Sequence, residues 1–173
     1  TSHTPGQVVF IIKLDTSGNF IWAKNIGGAG SGVQATSIAI DFIGNVYTAG
    51  SFSDTVDFDP GSGSFDIIAS SGTTFISKLD ASGNFVWAKD IGDTLSDLGF
   101  SIAIDTMGNI YITGSFDGLV DFDPNGGTFN LTSHPPGQEV FILKLDTSGN
   151  FIWATNIGGA EKGVNASTIY ILF

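Results

Sequence analysis

The sequence predicts an all-β chain in which one four-stranded antiparallel unit recurs. Three observations carry this. The phrase LDTSGNFIWA fills residues 14–23 and returns letter for letter at 145–154, with LDASGNFVWA between them at 79–88. Short runs rich in Phe, Ile and Trp, such as FIIKLD and NFIWAKNI, read as strands, and no stretch shows capped helical periodicity. The 24 glycines, about twice ordinary usage, mark many tight turns rather than long helices.

The elements follow in order. Phe10, Phe75 and Phe141 are 65 and 66 residues apart, and Trp22, Trp87 and Trp153 keep the same steps. A second phrase fills the gaps, IAIDFIGNVYTAGSF at 38–52 and IAIDTMGNIYITGSF at 102–116. A third follows it, VDFDPGSGSFD at 56–66 and VDFDPNGGTFN at 120–130. TSHTPGQVVF at 1–10 mirrors TSHPPGQEVF at 132–141, and GVNASTIYILF at 163–173 mirrors GVQATSIAIDF at 32–42. The whole chain is therefore repeat, with no linker and no second domain.

Between the strands D-x-x-G-N occurs five times, starting at Asp15, Asp41, Asp80, Asp105 and Asp146. An Asp carboxylate accepts hydrogen bonds from backbone N–H groups just ahead of it, and Gly supplies the positive φ that lets the chain return. Each copy is thus a short hairpin loop. One unit holds two hairpins, SIAID-turn-VYTAGSF (strands A and B) and FISKLD-turn-FVWAKDIG (strands C and D). Both faces of these strands are apolar, as Phe75, Ile76, Leu79, Phe85, Val86 and Trp87 show, so each sheet must be sandwiched between others. Four short antiparallel strands, apolar on both faces and repeated, describe the blade of a β-propeller. Strand A, with Ser37, Ala39, Ser101 and Ala103, suits the crowded centre, and strand D, with its Trp, the wide rim. The chain then reads as strands C-D of a partial blade (1–31), a full blade (32–97), a second full blade (98–162) and strand A of a next blade (163–173). That is eleven strands, or about 2.75 blades, where a closed ring needs at least about four.

The order IAID..GNVY.[AT]GSF, loop, F..KLD.SGNF.WA..IGG resembles the SBBP-type β-propeller repeats of bacterial secreted and surface proteins, and the VDFDPG versions look most like those of Bacteroidota. The resemblance covers essentially all of the chain. It implies an extracellular, secreted or surface-borne propeller, often part of a long chain with a C-terminal sorting domain, and no common catalytic residues.

Charge narrows the partners. Seventeen Asp and Glu face six Lys and no Arg, giving a net charge of −11, which repels phosphate backbones and anionic lipid. No nucleic-acid partner is expected. No apolar run reaches the roughly 18 residues of a membrane helix, so no membrane insertion is expected either. Cysteine is absent, which removes disulfide and thiolate chemistry. The opening without Met and the incomplete blades point to a piece of a longer chain, or to copies that complete one another.

Candidate sites are few. In an extended strand Asp57 and Asp59 point to one face, as do Asp121 and Asp123, and each pair could hold Ca²⁺ with help from Asp54 and Asp66, or from Asp117 and Asn130. The competing reading packs Val56 and Phe58 inward and lets the second Asp start a turn. A glycosidase pair is not expected, because catalysis needs two carboxyls in unlike environments and this motif recurs in equivalent places. No other cofactor is expected, and the chain reads as a non-enzyme. His3 and His134 occupy one repeat position and read as neither ligands nor bases. Trp22, Trp87 and Trp153 could stack on sugar rings, although their Phe and Ile neighbours favour core packing. Thr55, Thr94 and Thr106 sit in Asp-Thr-apolar triplets that resemble the O-glycan acceptors of Bacteroidota. Lys13, Lys78 and Lys144 before LD, with Lys24 and Lys89 after WA, are expected to lay their stems along blade edges and offset nearby Asp. The functional expectation is a scaffold or protein-interaction module whose partners are further blades, from the same chain or identical copies. The alternatives are a lectin-like propeller that binds glycans and a structural surface filament.

Overall fold

In each D-x-x-G-N segment of the computed structural model the Asp N–H donates to the Asn carbonyl, and the Gly N–H donates back to the Asp carbonyl at 2.9–3.0 Å. In the Asp80 turn the Oδ1 atom accepts from the N–H of Ser82 at 2.8 Å and of Asn84 at 2.9 Å, while Oδ2 accepts from Asn84 Nδ2. The five glycines have φ between +79° and +91°, where a Cβ is strained. The Asn84 backbone and side-chain bonds hold the Asp80 carboxyl below its ordinary range. Burial alone would raise Asp41, Asp105 and Asp146, but the matching Asn bonds outweigh it and lower all three.

The structure describes residues 6–28, 32–92, 98–134, 137–158 and 168–170. The five turns join β1 (Val9–Leu14) to β2 (Phe20–Ile26), β3 (Gly32–Ile40) to β4 (Val46–Asp57), and β5 (Asp66–Leu79) to β6 (Phe85–Ile91). They also join β7 (Leu98–Ile104) to β8 (Ile110–Phe116), and, after the short strands β9 (Leu119–Asp121) and β10 (Asn130–Thr132), β11 (Glu139–Leu145) to β12 (Phe151–Ile157). Two sheets have four antiparallel strands in chain order, β3-β4-β5-β6 and β7-β8-β11-β12, which are strands A to D of the two expected full blades. β1 and β2 form a two-stranded sheet in the C-D register, with Phe10 opposite Asn25 as Phe141 is opposite Asn156. Among residues 163–173, the described Thr168–Tyr170 carry no strand, and the remainder lies outside the described residues.

The VDFDP segments differ between the two full sheets. In the second sheet (β3 to β6) they extend β4 and β5, with Val56 opposite Ile67; in the third (β7 to β12) they stand apart as β9 and β10, with Val120 opposite Leu131. Both segments nevertheless pass through a left-handed residue at one repeat position. Asp54 adopts φ +63° where the β4–β5 ladder shifts register, and its counterpart Gly118 adopts φ +79°. Asp tolerates this conformation only at a cost, whereas Gly does so freely.

The sheets stack face on face. One core combines Val9, Ile11 and Ile26 of the first sheet (β1 and β2) with Val33, Phe52, Phe58, Phe75 and Leu79 of the second. The other combines Tyr47, Ala49, Ile76 and Ile91 of the second sheet with Ile112, Phe116, Phe141, Leu143 and Leu145 of the third. Strand β7 lies across β3 and β4, so neighbouring A strands meet. Among the described residues no helix is long and apolar enough to cross a membrane.

Candidate interaction surfaces

The repeated residues work mainly between sheets. Trp22, on strand D of the first sheet, lies against the C-D turn of the second, where a Cβ on Gly83 would come 3.1 Å from its indole carbons. Trp87 stands in the same relation to Gly149, at 3.3 Å. Trp22 Nε1 donates to Ala81 O at 3.2 Å. The lysines before LD reach the same turns. Lys13 Nζ donates to Ala81 O at 2.8 Å, and Lys78 Nζ donates to Thr147 O at 3.0 Å while lying over the Tyr47 ring. Their hydrogen bonds go to carbonyls of the next sheet, whose turns present them where the stem ends, and the Lys78 charge also acts on Asp41 and Asp146, the offset of nearby Asp that the sequence led one to expect. Burial lowers the Lys78 ammonium from its ordinary value. Lys89 Nζ adds a bond to Asn125 Oδ1 at 2.8 Å, and the Ile102 N–H donates to Ser37 Oγ between adjacent A strands.

The Asp pairs anchor turns. Asp57 Oδ1 accepts from the N–H of Asp59 at 3.0 Å and of Phe65 at 2.9 Å, and Asp59 Oδ1 accepts from the Gly61 N–H at 2.8 Å. Asp121 and Asp123 do the same with Asp123, Phe129 and Asn125. Val56, Phe58, Val120 and Phe122 are buried between them. This is the arrangement in which the second Asp starts a turn. Asp66 and Asp117 accept from Ser64 Oγ and Ser133 Oγ. Among the described residues no three His, Asp or Glu side chains gather as a metal centre. Thr55 on β4 and Thr106 in the β7–β8 turn are exposed; Thr94 and His3 lie outside the described residues.

One cluster escaped the sequence reading. Glu139 is buried at the start of β11, its Oε1 lies 2.7 Å from His134 Nδ1, and Asn156 Nδ2 donates to its Oε2. The His134 side-chain bond, more than any other contact, lowers this carboxyl from its ordinary value. The signal was present as a departure from the repeat, since Glu139 stands where the other copies have Val8 and Thr73.

The two end faces show what the interior contacts cover. Phe10 is 69% exposed, while its counterparts Phe75 and Phe141 are 0% and 1% exposed. Ile12, Leu14 and Phe20 are exposed beside it. At the other end Ile157 is open where Ile26 and Ile91 are buried, and Trp153, at 38% exposed, has no described turn against it.

Four-stranded antiparallel sheets in chain order, apolar on both faces and stacked through equivalent residues, define an array of β-propeller-type repeats. Two stretches, residues 21–51 and 86–118, match the family described as the beta-propeller repeat (SBBP). The chain is similar to a WD repeat-containing protein of Acanthamoeba polyphaga mimivirus, 30% identical over 170 residues that cover 84% of this chain and 12% of that protein. It is also similar to the regulatory protein FlaEY of Caulobacter vibrioides, 30% identical over 153 residues that cover 82% of this chain and 16% of that protein. The chain therefore spans only a small part of each of these relatives.

Proposed function

We propose that this chain is a non-enzymatic scaffold or protein-interaction module, secreted or held at a cell surface, whose partners are further propeller blades of the same polypeptide or of identical copies. The observation that carries this reading is the pair of open ends. Phe10 and Ile157 repeat residues that elsewhere bury against a neighbouring sheet, so each end offers a surface already matched to another repeat. The carboxylates of Asp57, Asp59, Asp121 and Asp123 accept hydrogen bonds from turn N–H groups, which supports a structural reading of the VDFDP segments. The extracellular setting is supported by the resemblance to repeats of bacterial secreted and surface proteins. The lectin reading is weakened because Trp22 and Trp87 already pack on the next sheet.

Light scattering with electron-microscopy class averages tests this on the intact chain. The expected result is concentration-dependent assembly into curved or closed arrangements of radiating blades. A chain that stays at 18.0 kDa at all concentrations, binding glycans through Trp153, would overturn it.

A further inference from the structure

We infer that Asn125 is a site of spontaneous chemical modification, where the side-chain amide is lost as ammonia and the residue becomes aspartate or isoaspartate. The site lies at the joint between the second and third sheets, both of which have all four strands, and it is independent of the scaffold reading.

The sequence supplies the reacting pair. Asn125 is followed by Gly126, whereas every other Asn of the chain precedes Ala, Val, Ile, Leu or Phe. A main-chain nitrogen reaches the side-chain amide of the preceding residue most readily where no Cβ stands in the way, and only Gly meets that condition.

Three structural conditions are added. First, the turn is open. Asn125 and Gly126 are both exposed, Gly126 has φ +80°, and a Cβ built there would meet nothing within 4 Å, so the backbone has room to swing toward the side chain. Second, the nucleophile is free. Among the described residues nothing accepts from the Gly126 N–H. The contrast is Asp117-Gly118, the single Asp-Gly pair of the chain, where the Gly118 N–H donates to Ser133 Oγ at 2.8 Å. Third, the electrophile is polarised. Lys89 Nζ donates to Asn125 Oδ1 at 2.8 Å, so a positive charge faces the oxygen on which negative charge builds as the amide is attacked.

The site belongs to one joint. At the same repeat position the second sheet has Gly61, followed by Ser62, and Lys24, the counterpart of Lys89, lies beside Gly83 instead. Asn125 Nδ2 donates to Gly149 O at 3.0 Å, which ties the VDFDP turn to the turn on which Trp87 rests.

The step balances with water as the co-reactant. The Gly126 nitrogen gives its proton to a solvent base and bonds to Asn125 Cγ, while the Cγ–Nδ2 bond breaks and ammonia leaves. Water then opens the cyclic imide at either carbonyl, giving Asp, or isoaspartate with the main chain rerouted through the side chain. The new carboxylate pairs with Lys89 and no longer donates to Gly149 O, so the contact between the two sheets is rebuilt in one direction only.

Ageing the intact chain in water enriched in heavy oxygen, followed by tandem mass spectrometry of its peptides, tests this. The expected result is loss of ammonia and gain of one heavy oxygen at residue 125, faster at higher pH and well ahead of Asn130 and Asp117. Lys89→Gln should slow the conversion about tenfold, and Lys89→Arg should restore most of it. Asn125→Gln, which keeps the amide but lengthens the reach, should abolish it. No conversion at residue 125, equal conversion at Asp117, or an unchanged rate in Lys89→Gln would overturn the inference. So would loss of ammonia with no oxygen gained and residues 89 and 125 crosslinked, which would make Lys89 itself the nucleophile.

Discussion

Phe10 and Phe141 hold one repeat position with different surroundings, which turns a pair of substitutions into a measurement of the stacking contacts. Phe141 is fully buried among Phe116, Phe122 and the second sheet. Burying a Phe side chain contributes about 1.5–3 kcal/mol, and each well-placed ring pair about 0.5–1.5 kcal/mol more. With the cavity left behind, Phe141→Ala should cost about 3–5 kcal/mol. Phe10 keeps most of its surface in water, so Phe10→Ala should change stability by less than about 0.5 kcal/mol. Urea unfolding of the monomeric chain, followed by Trp fluorescence and compared at equal denaturant dependence, reads both values. Equal losses for the two variants would refute the reasoning, since they would mean that Phe10 is already covered.

Other outcomes follow from the same contacts. Gly83→Ala and Gly18→Ala share φ near +80°, but only the first brings a Cβ against Trp22 and Lys24, so its melting temperature should fall further; equal falls would argue against the sheet-to-sheet contact. The Asp80 carboxyl sits below its unfolded value, so it binds fewer protons in the folded state, and its stabilisation is full above the ordinary Asp range and lost as pH falls through the lowered value. Asp41, Asp105 and Asp146 share that sign, so acid titration should destabilise the chain progressively below about pH 4, and Asp80→Asn should flatten part of that slope. Glu139→Ala should cost about 1–3 kcal/mol because it strips the acceptor from Asn156 and from the His134 N–H, whereas Val8→Ala on the exposed counterpart should be nearly silent by thermal melting. Millimolar Ca²⁺ should leave the melting temperature unchanged if the Asp57 and Asp121 carboxylates serve their turns, and a rise of several degrees would restore the metal reading.

The hairpins were legible because their chemistry is local. An Asp, two turn residues, a Gly and an Asn spell the reversal within five positions, and the apolar runs on either side supply strands with two buried faces. The pairing of A with B and C with D followed, and so did the inward packing of Val56 and Phe58. What the sequence did not reveal depends on the neighbouring sheet. No spacing rule tells that Lys13 ends on Ala81 O, because that carbonyl comes from a turn 68 residues away. Whether the VDFDP ladder joins β4 and β5 or stands apart as β9 and β10 does not follow from the local residues either, since Asp54 and Gly118 take the same left-handed conformation in the two arrangements. Glu139 was visible as a departure from the repeat, yet its meaning needed Asn156 and His134 in three dimensions.

The central claim is that the three C strands are copies of one element that differ only in what covers them. Amide hydrogen exchange on the monomeric chain tests this most directly, comparing Val9–Leu14 with the equivalent residues of β5 and β11. The account predicts slow exchange in β5 and β11, which are paired on both edges, and fast exchange on the open edge of β1. Equal protection of all three strands would contradict it.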